Sequence, residues 1–261
     1  MKILVPTDFS DNAHNAFNFA KNLAQVNNSS ITLLFVYHNV YDFAAQSASI
    51  TVQIEEEARV AMEELNSGPK KGLHVDYKIV QGYVATTIAS TAYREDYNLI
   101  VMGTQGASGI TKTLIGSNTA HVIKESMIPV LAVPSYSSFG MVKQIIVSLE
   151  REASEQAFFE RLFQITQQWQ RPYRTLHIKS QASSEGTSHP LESFLQNLPE
   201  IEHDTVEAKS LMEGINNYFK ETKECLFVMF YKKRPFFEHL LRKSHVEKMA
   251  YHTHIPLLVV K

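Results

Sequence analysis

The chain repeats itself. Leu226–Val260, "LFVMFYKKRPFFEHLLRKSHVEKMAYHTHIPLLVV", aligns without a gap on Leu99–Val133, "LIVMGTQGASGITKTLIGSNTAHVIKESMIPVLAV", at an offset of 127 residues. The shared Val-Met, the serines Ser117 and Ser244, and the pairs Ile128-Pro129 and Ile255-Pro256 hold that register. "KQIIVSLE" (Lys143–Glu150) lies on "MKILVPTD" (Met1–Asp8) at an offset of 142, which sets Glu150 on Asp8 and Ser148 on Pro6. A repeat of domain length means one fold made twice. A chain of 261 residues suffices for two domains of ordinary size. The offset falls by 15, so the second copy is shorter by that amount between the anchors. The polar stretch "SQASSEGTSHP" (180–190) is expected to be the loop where its second helix is trimmed.

The repeated pattern is strand, helix, strand. "KILVP" is a short apolar run stopped by Pro6, and Ser10 or Asp11 can cap the helix that follows, whose apolar face is Ala13, Ala16, Phe17, Ala20 and Ala24. "ITLLFVYH" has no polar alternation, as expected of a strand covered on both faces. Ile54, Ala58, Ala61 and Leu65 repeat at helical spacing from Thr51 onward. "LHVDYKIV" alternates like a strand with one wetter face near a sheet edge. Ala85, Ile88, Ala89 and Ala92 form another helical stripe; "NLIVMG", "SNTAHVIKES" and "IPVLAV" then read as strand, helix and strand. Such alternation predicts an α/β fold, two tandem doubly wound domains with parallel sheets. The boundaries expected are 1–135 and 142–261, with Ser135–Met141 as the linker.

Composition narrows the function classes. The net charge of −2 divides into −3 before Tyr136 and +1 after Ser135, too even to imply a nucleic-acid partner. The single cysteine, Cys225, allows no internal disulfide and fits a reducing compartment; within "CLFVMF" it reads as a small buried hydrophobe. No run approaches the length of a membrane span, and "MKILVPTDFSDN" is too short in apolar residues for a signal peptide. The expectation is a soluble cytoplasmic protein without a membrane partner.

Four of the ten glycines fall in "GTQGASGITKTLIGSN" (Gly103–Asn118), between the fourth strand and the next helix. Strand, glycine-rich turn and helix is an arrangement that binds phosphate, because helix N-termini offer free N–H donors and glycine lets backbone approach an anion. A Walker A loop needs a lysine before its Ser or Thr, and none stands before Ser117; the dinucleotide fingerprint is absent too. What remains is Gly103, two residues, Gly106, nine residues, then Gly116-Ser117. With the start "ILVPTDFSD", this resembles the nucleotide-binding branch of the universal stress protein family over residues 1–134.

The resemblance implies a five-stranded parallel sheet of the adenine nucleotide alpha hydrolase-like kind, and ATP as ligand, with Mg²⁺ or Mn²⁺ arriving on its phosphates. It places Asp8 by the adenosine, Pro6 and Thr7 along the base pocket, and the Val36 backbone on the adenine. It brings Met102, Gly103, Gly106 and Gly109 to the loop over ribose and phosphates, and has Gly116, Ser117 and Asn118 present helix donors to the phosphates. Asp8 has a competing role in capping the first helix, for which Ser10 and Asp11 are better placed, and Gly109 lies outside the spacing. The resemblance also implies pairing through fifth strands, "IPVLAVP" with "IPLLVVK", as an intrachain pseudo-dimer, with a further homodimer open and the protein partner unknown.

In the second copy Phe230, Lys233 and Lys243 stand where the first has Gly103, Gly106 and Gly116, so that site is expected to be closed to nucleotide. Lys232, Lys233, Arg234, Arg242 and Lys243 against Glu238 make a basic segment, read either as a solvated loop or as a surface for an anion or partner. His239, His245, His252 and His254 lack the spacing of a zinc motif, so no protein metal site is expected. No nucleophile elbow or Cys/His pair marks a catalytic residue. The leading reading is a stress-response regulator or sensor worked by nucleotide occupancy. The alternatives are a weak ATPase or nucleotide-dependent transferase, and a scaffold that binds no nucleotide.

Overall fold

The computed structural model describes residues 1–38, 44–67, 72–104, 115–149, 156–180, 201–231 and 255–261. These divide into two compact units, the first ending at Ser135 and the second running from Tyr136 to Lys261.

In the first unit β1 (Lys2–Thr7), β2 (Ser30–Tyr37), β3 (Val75–Gln81), β4 (Leu99–Gly103) and β5 (Val130–Val133) lie in the order β3-β2-β1-β4-β5. Every pairing is parallel. Apolar residues dominate the inner strands, where both faces are covered; every residue of β4 and β5 is buried. In edge strand β3 no residue is buried, and the alternation predicted from the sequence holds only from Val75 to Tyr77, after which Lys78 to Val80 are all half-buried.

The helices follow the apolar stripes. Helix α1 (Asp11–Asn27) is capped by Ser10, whose side chain accepts from the Ala13 N–H, and all five stripe residues are buried. Helix α2 (Ala44–Leu65) begins seven residues before Thr51, and its inward face is the predicted one, with Ala58 buried and Ile54, Ala61 and Leu65 half-buried. Met62 is buried beside them and adds apolar surface removed from water. Helices α3 (Val84–Arg94) and α4 (Ser117–Glu125) complete the unit.

The second unit repeats the order. Its strands β6 (Gln144–Leu149), β7 (Tyr173–Ser180), β8 (Glu202–Ala208), β9 (Cys225–Phe230) and β10 (Leu257–Val260) run β10-β9-β6-β7-β8, all parallel. Helices α5 (Gln156–Thr166) and α6 (Leu211–Glu221) are described here. The segment read as a linker ends in a 3-10 turn, Phe139–Met141, with Phe139 buried edge-on against Trp169 at 5.2 Å. It is therefore part of the second unit's core. The loop expected at 180–190 lies outside the described residues beyond Ser180.

Candidate functional site

In the first sheet β1 lies between β2 and β4, and the chain leaves β1 toward β2 but β4 toward β5. That reversal is where an open α/β sheet forms a crevice beyond its carboxyl ends. Pro6 widens it. Ser30 N–H donates to the Met1 carbonyl and Asn98 N–H to the Lys2 carbonyl, so odd β1 residues face β2 and even ones face β4. Six residue pairs join β1 to β2, but only Ile3–Leu99 and Leu4–Ile100 join β1 to β4. A pair of Val5 with Val101 would need the N–H of residue 6, which proline lacks.

The turn after β1 is held by its own side chains. Thr7 Oγ1 accepts from Phe9 N–H at 3.0 Å; Asp8 Oδ1 accepts from Ser10 N–H at 3.1 Å and Ser10 Oγ at 2.6 Å. Phe9 has φ 62°, a left-handed conformation unusual for a bulky residue. Its ring rests on Phe35 at 5.0 Å. Asp8 is exposed, and it braces the capping serine rather than capping α1 itself. Thr7 and Pro6 are buried, with the Thr7 hydroxyl engaged inside the turn.

Val36 owes its place to strand parity. Gly82 N–H, just after β3, donates to the Tyr37 carbonyl of β2, so the N–H and C=O of Val36 point the other way, toward β1. The last β1 residue in that ladder is Thr7, opposite Phe35. The Val36 carbonyl thus stands one position beyond the end of its neighbour strand, on the crevice.

On the other wall, Met102 and Gly103 end β4, both buried. A Cβ on Gly103 would fall 2.3 Å from Asn12 Oδ1 and 3.1 Å from the Asn12 carbonyl carbon. The Gly103 carbonyl accepts from Thr119 Oγ1 at 2.7 Å, and Asn12 Nδ2 donates to the Val133 carbonyl at 3.3 Å. Gly103 is required by this close approach of α1 to β4, a packing role that the spacing of the loop did not reveal. Gly116 is the N-cap of α4, its N–H donating to the Thr104 carbonyl, with no side-chain cap bond at that end. Ser117 and Asn118 open the helix and are exposed. Gly116 itself therefore leaves the backbone donors and positive dipole end of the first turn of α4 without a cap from its own side chain. Gly106 and Gly109 lie outside the described residues.

The second unit has the same frame with different contents. Tyr231 N–H donates to the Val260 carbonyl as Thr104 N–H does to Val133, so the strand ends correspond. Phe230, at the Gly103 position, is buried and packs on Phe158 at 5.3 Å and Phe159 at 5.1 Å. Ser148, at the Pro6 position, has an N–H, and here four pairs join β6 to β9, including Val147–Val228. Lys232, Lys233, Arg234, Glu238, Arg242, Lys243 and Ser244 lie outside the described residues, as do Glu150, His239, His245, His252 and His254. Among the described residues no group of three His, Cys, Asp or Glu could hold a metal ion, and no helix is long and apolar enough to cross a membrane. Burial pushes the Cys225 thiol up to about 12, which leaves it protonated and unreactive at neutral pH.

The chain is similar to known proteins. A sequence model of the Universal stress protein family matches residues 1–134. Universal stress protein MJ0531 of Methanocaldococcus jannaschii is 30% identical over 138 residues, covering 51% of this chain and 81% of that protein. Universal stress protein MJ0577 of the same organism is 30% identical over 156 residues, covering 52% of this chain and 96% of that protein. The crystal structure of a universal stress protein from Archaeoglobus fulgidus DSM 4304 matches all of this chain and 96% of its own, with a TM-score of 0.70 at 18% identity. At that identity the match speaks for the fold alone, two units included.

Proposed function

We propose, since this chain belongs to the universal stress protein family, that its first unit binds an adenine nucleotide, ATP foremost, and acts as a stress-response regulator through occupancy of that site. The observation that carries the reading is the early end of the β1–β4 ladder at Pro6 together with an α4 N-cap, Gly116, that has no side chain to cap the helix. An anion seated there receives the backbone N–H groups of Ser117 and Asn118 and the positive end of the helix dipole. Across the crevice the Val36 carbonyl accepts from the exocyclic amine of adenine, and the exposed Asp8 carboxylate accepts from ribose hydroxyls. Mg²⁺ or Mn²⁺, as hard cations, would come bound to the phosphate oxygens rather than to a protein cage. The second unit, with Phe230 at the matching strand end, binds no nucleotide.

Thermal unfolding with and without ATP and Mg²⁺ tests this. Ligand at 100 times its dissociation constant adds about 2.7 kcal/mol to the unit that binds it. Gly116→Val is expected to abolish the shift. Its backbone, at φ −64° and ψ 161°, suits any residue, so the helix still forms while a side chain obstructs the phosphate. Ser244→Ala is expected to leave the shift intact. Wild-type protein with an unchanged transition at millimolar ATP would refute the proposal.

A further inference from the structure

Tyr83 is out of keeping with its surroundings. It is the N-cap of α3, a position that favours Ser, Thr, Asp or Asn, yet its side chain makes no cap hydrogen bond. It is 73% exposed, among the most exposed large hydrophobic side chains of the described residues. The turn before it is tightly specified: Gly82 has φ 158°, and a Cβ there would fall 2.2 Å from Thr87 Oγ1. The chain thus spends a glycine and a helix cap to put an aromatic ring in solvent.

That ring lies face to face with the exposed His38 ring, centroids 4.7 Å apart and planes 28° apart. His38 directly follows β2, two residues after Val36. The Gly82 N–H to Tyr37 carbonyl bond ties the start of the Tyr83 turn to the same strand end. Strand alternation places His38 on the sheet face of Val36, opposite the face of Phe35 and Tyr37, which carries the Phe9 ring and, through Tyr37 Oη to Glu55 at 2.6 Å, helix α2. A base bonded edge-on to the Val36 backbone extends the plane of the sheet, so its two π-faces look toward these two sets of rings.

We infer that His38 and Tyr83 form a stacking wall for the base, and that this wall, with Phe9 opposite, makes the site select a purine over a pyrimidine. The inference rests on the nucleotide reading above and adds the residues that choose the base. Stacking on an aromatic ring favours the larger π-surface and tolerates either purine. The adenine-specific part is left to the Val36 backbone.

Tyr83→Ser separates stacking from structure, because it moves stability and affinity in opposite directions. Serine is a good N-cap, so the unliganded variant is expected to melt a few degrees higher. Its ATP affinity by titration calorimetry is expected to fall at least about fivefold, with a smaller loss for CTP, whose base stacks less. Tyr83→Phe keeps the ring and is expected to bind ATP as the wild type does; His38→Ala is expected to weaken ATP as Tyr83→Ser does. If Tyr83→Ser binds ATP as tightly as wild type, or Tyr83→Phe falls as far as Tyr83→Ser, the wall is wrong while nucleotide binding stands. Wild-type protein that binds neither ATP nor CTP overturns both.

Discussion

The carboxyl ends of β4 and β9 occupy one position in two copies of a pattern, and they are filled in opposite ways. At β4 the strand ends in Gly103, pressed against the first turn of α1 at Asn12. At β9 it ends in Phe230, whose ring sits on Phe158 and Phe159 of α5. The neighbouring strand differs in the same sense. At Pro6 the β1–β4 ladder stops at Leu4–Ile100, whereas with Ser148 the β6–β9 ladder runs one pair further, to Val147–Val228. One unit ends its ladder early and keeps its helix close; the other extends the ladder and plugs the strand end with aromatic rings. Divergence of a duplicated site thus involves backbone hydrogen bonding as well as side-chain bulk.

The largest effect should come from removing the plug. Phe230→Ala deletes a buried ring with two aromatic neighbours and is expected to destabilise the second unit by about 3–5 kcal/mol in urea unfolding. A loss below about 1 kcal/mol would mean the cluster is not packed as described. The counterpart, Gly103→Ala, overfills rather than empties. A Cβ 2.3 Å from Asn12 Oδ1 displaces the Asn12 side chain, and at 3.1 Å from the Asn12 carbonyl carbon it crowds the α1 backbone. About 1–3 kcal/mol is expected. Asn12→Ala in the same chain should recover part of it, and strict additivity of the two changes would show that no clash links them.

Much of this was legible in the sequence, and the gaps have physical causes. Strand positions followed from apolar runs because a buried parallel strand has no other composition available to it. The α1 cap and stripe followed because Ser10 and the spacing of Ala13 to Ala24 leave one helical solution. The face of α2 followed too, except for Met62, which lies at the edge of the predicted stripe and is buried with it. For Gly103 the glycine spacing points to ligand approach but does not disclose that a side chain there would meet Asn12, 91 positions earlier in the chain. A contact of that range leaves no local signal. Tyr83 escaped attention because an exposed tyrosine beside a glycine resembles any turn until its ring is seen on His38. The Pro6–Ser148 pairing was visible in the repeat, but its meaning required knowing which strand each N–H faces.

Ser148→Pro tests that meaning in the second unit. Even β6 residues face β9, since the Ile145 N–H donates to the Pro172 carbonyl on the β7 side. Losing the Ser148 N–H strands the Val228 carbonyl in a buried ladder, and about 1–3 kcal/mol of destabilisation is expected from guanidinium unfolding. An unchanged midpoint would mean the fourth pair contributes nothing and the two sheets do not differ there.

The reverse change, Pro6→Ser, should have the smallest effect on stability and the most informative one on the crevice. It restores an N–H able to pair Val5 with Val101, a gain of about 0.5–1.5 kcal/mol. It also frees the unfolded chain at residue 6, a loss of about 0.4–1 kcal/mol. The two nearly cancel, so the melting temperature should scarcely move. Hydrogen exchange then reports what stability does not. A residue 6 amide protected like those of Ile3 and Leu4 shows that the ladder has closed, while fast exchange shows that the strands part for some reason other than proline. If closure is seen and ATP affinity falls with it, the open seam is part of the site; closure with unchanged affinity would leave the parted strands as a feature of the fold alone.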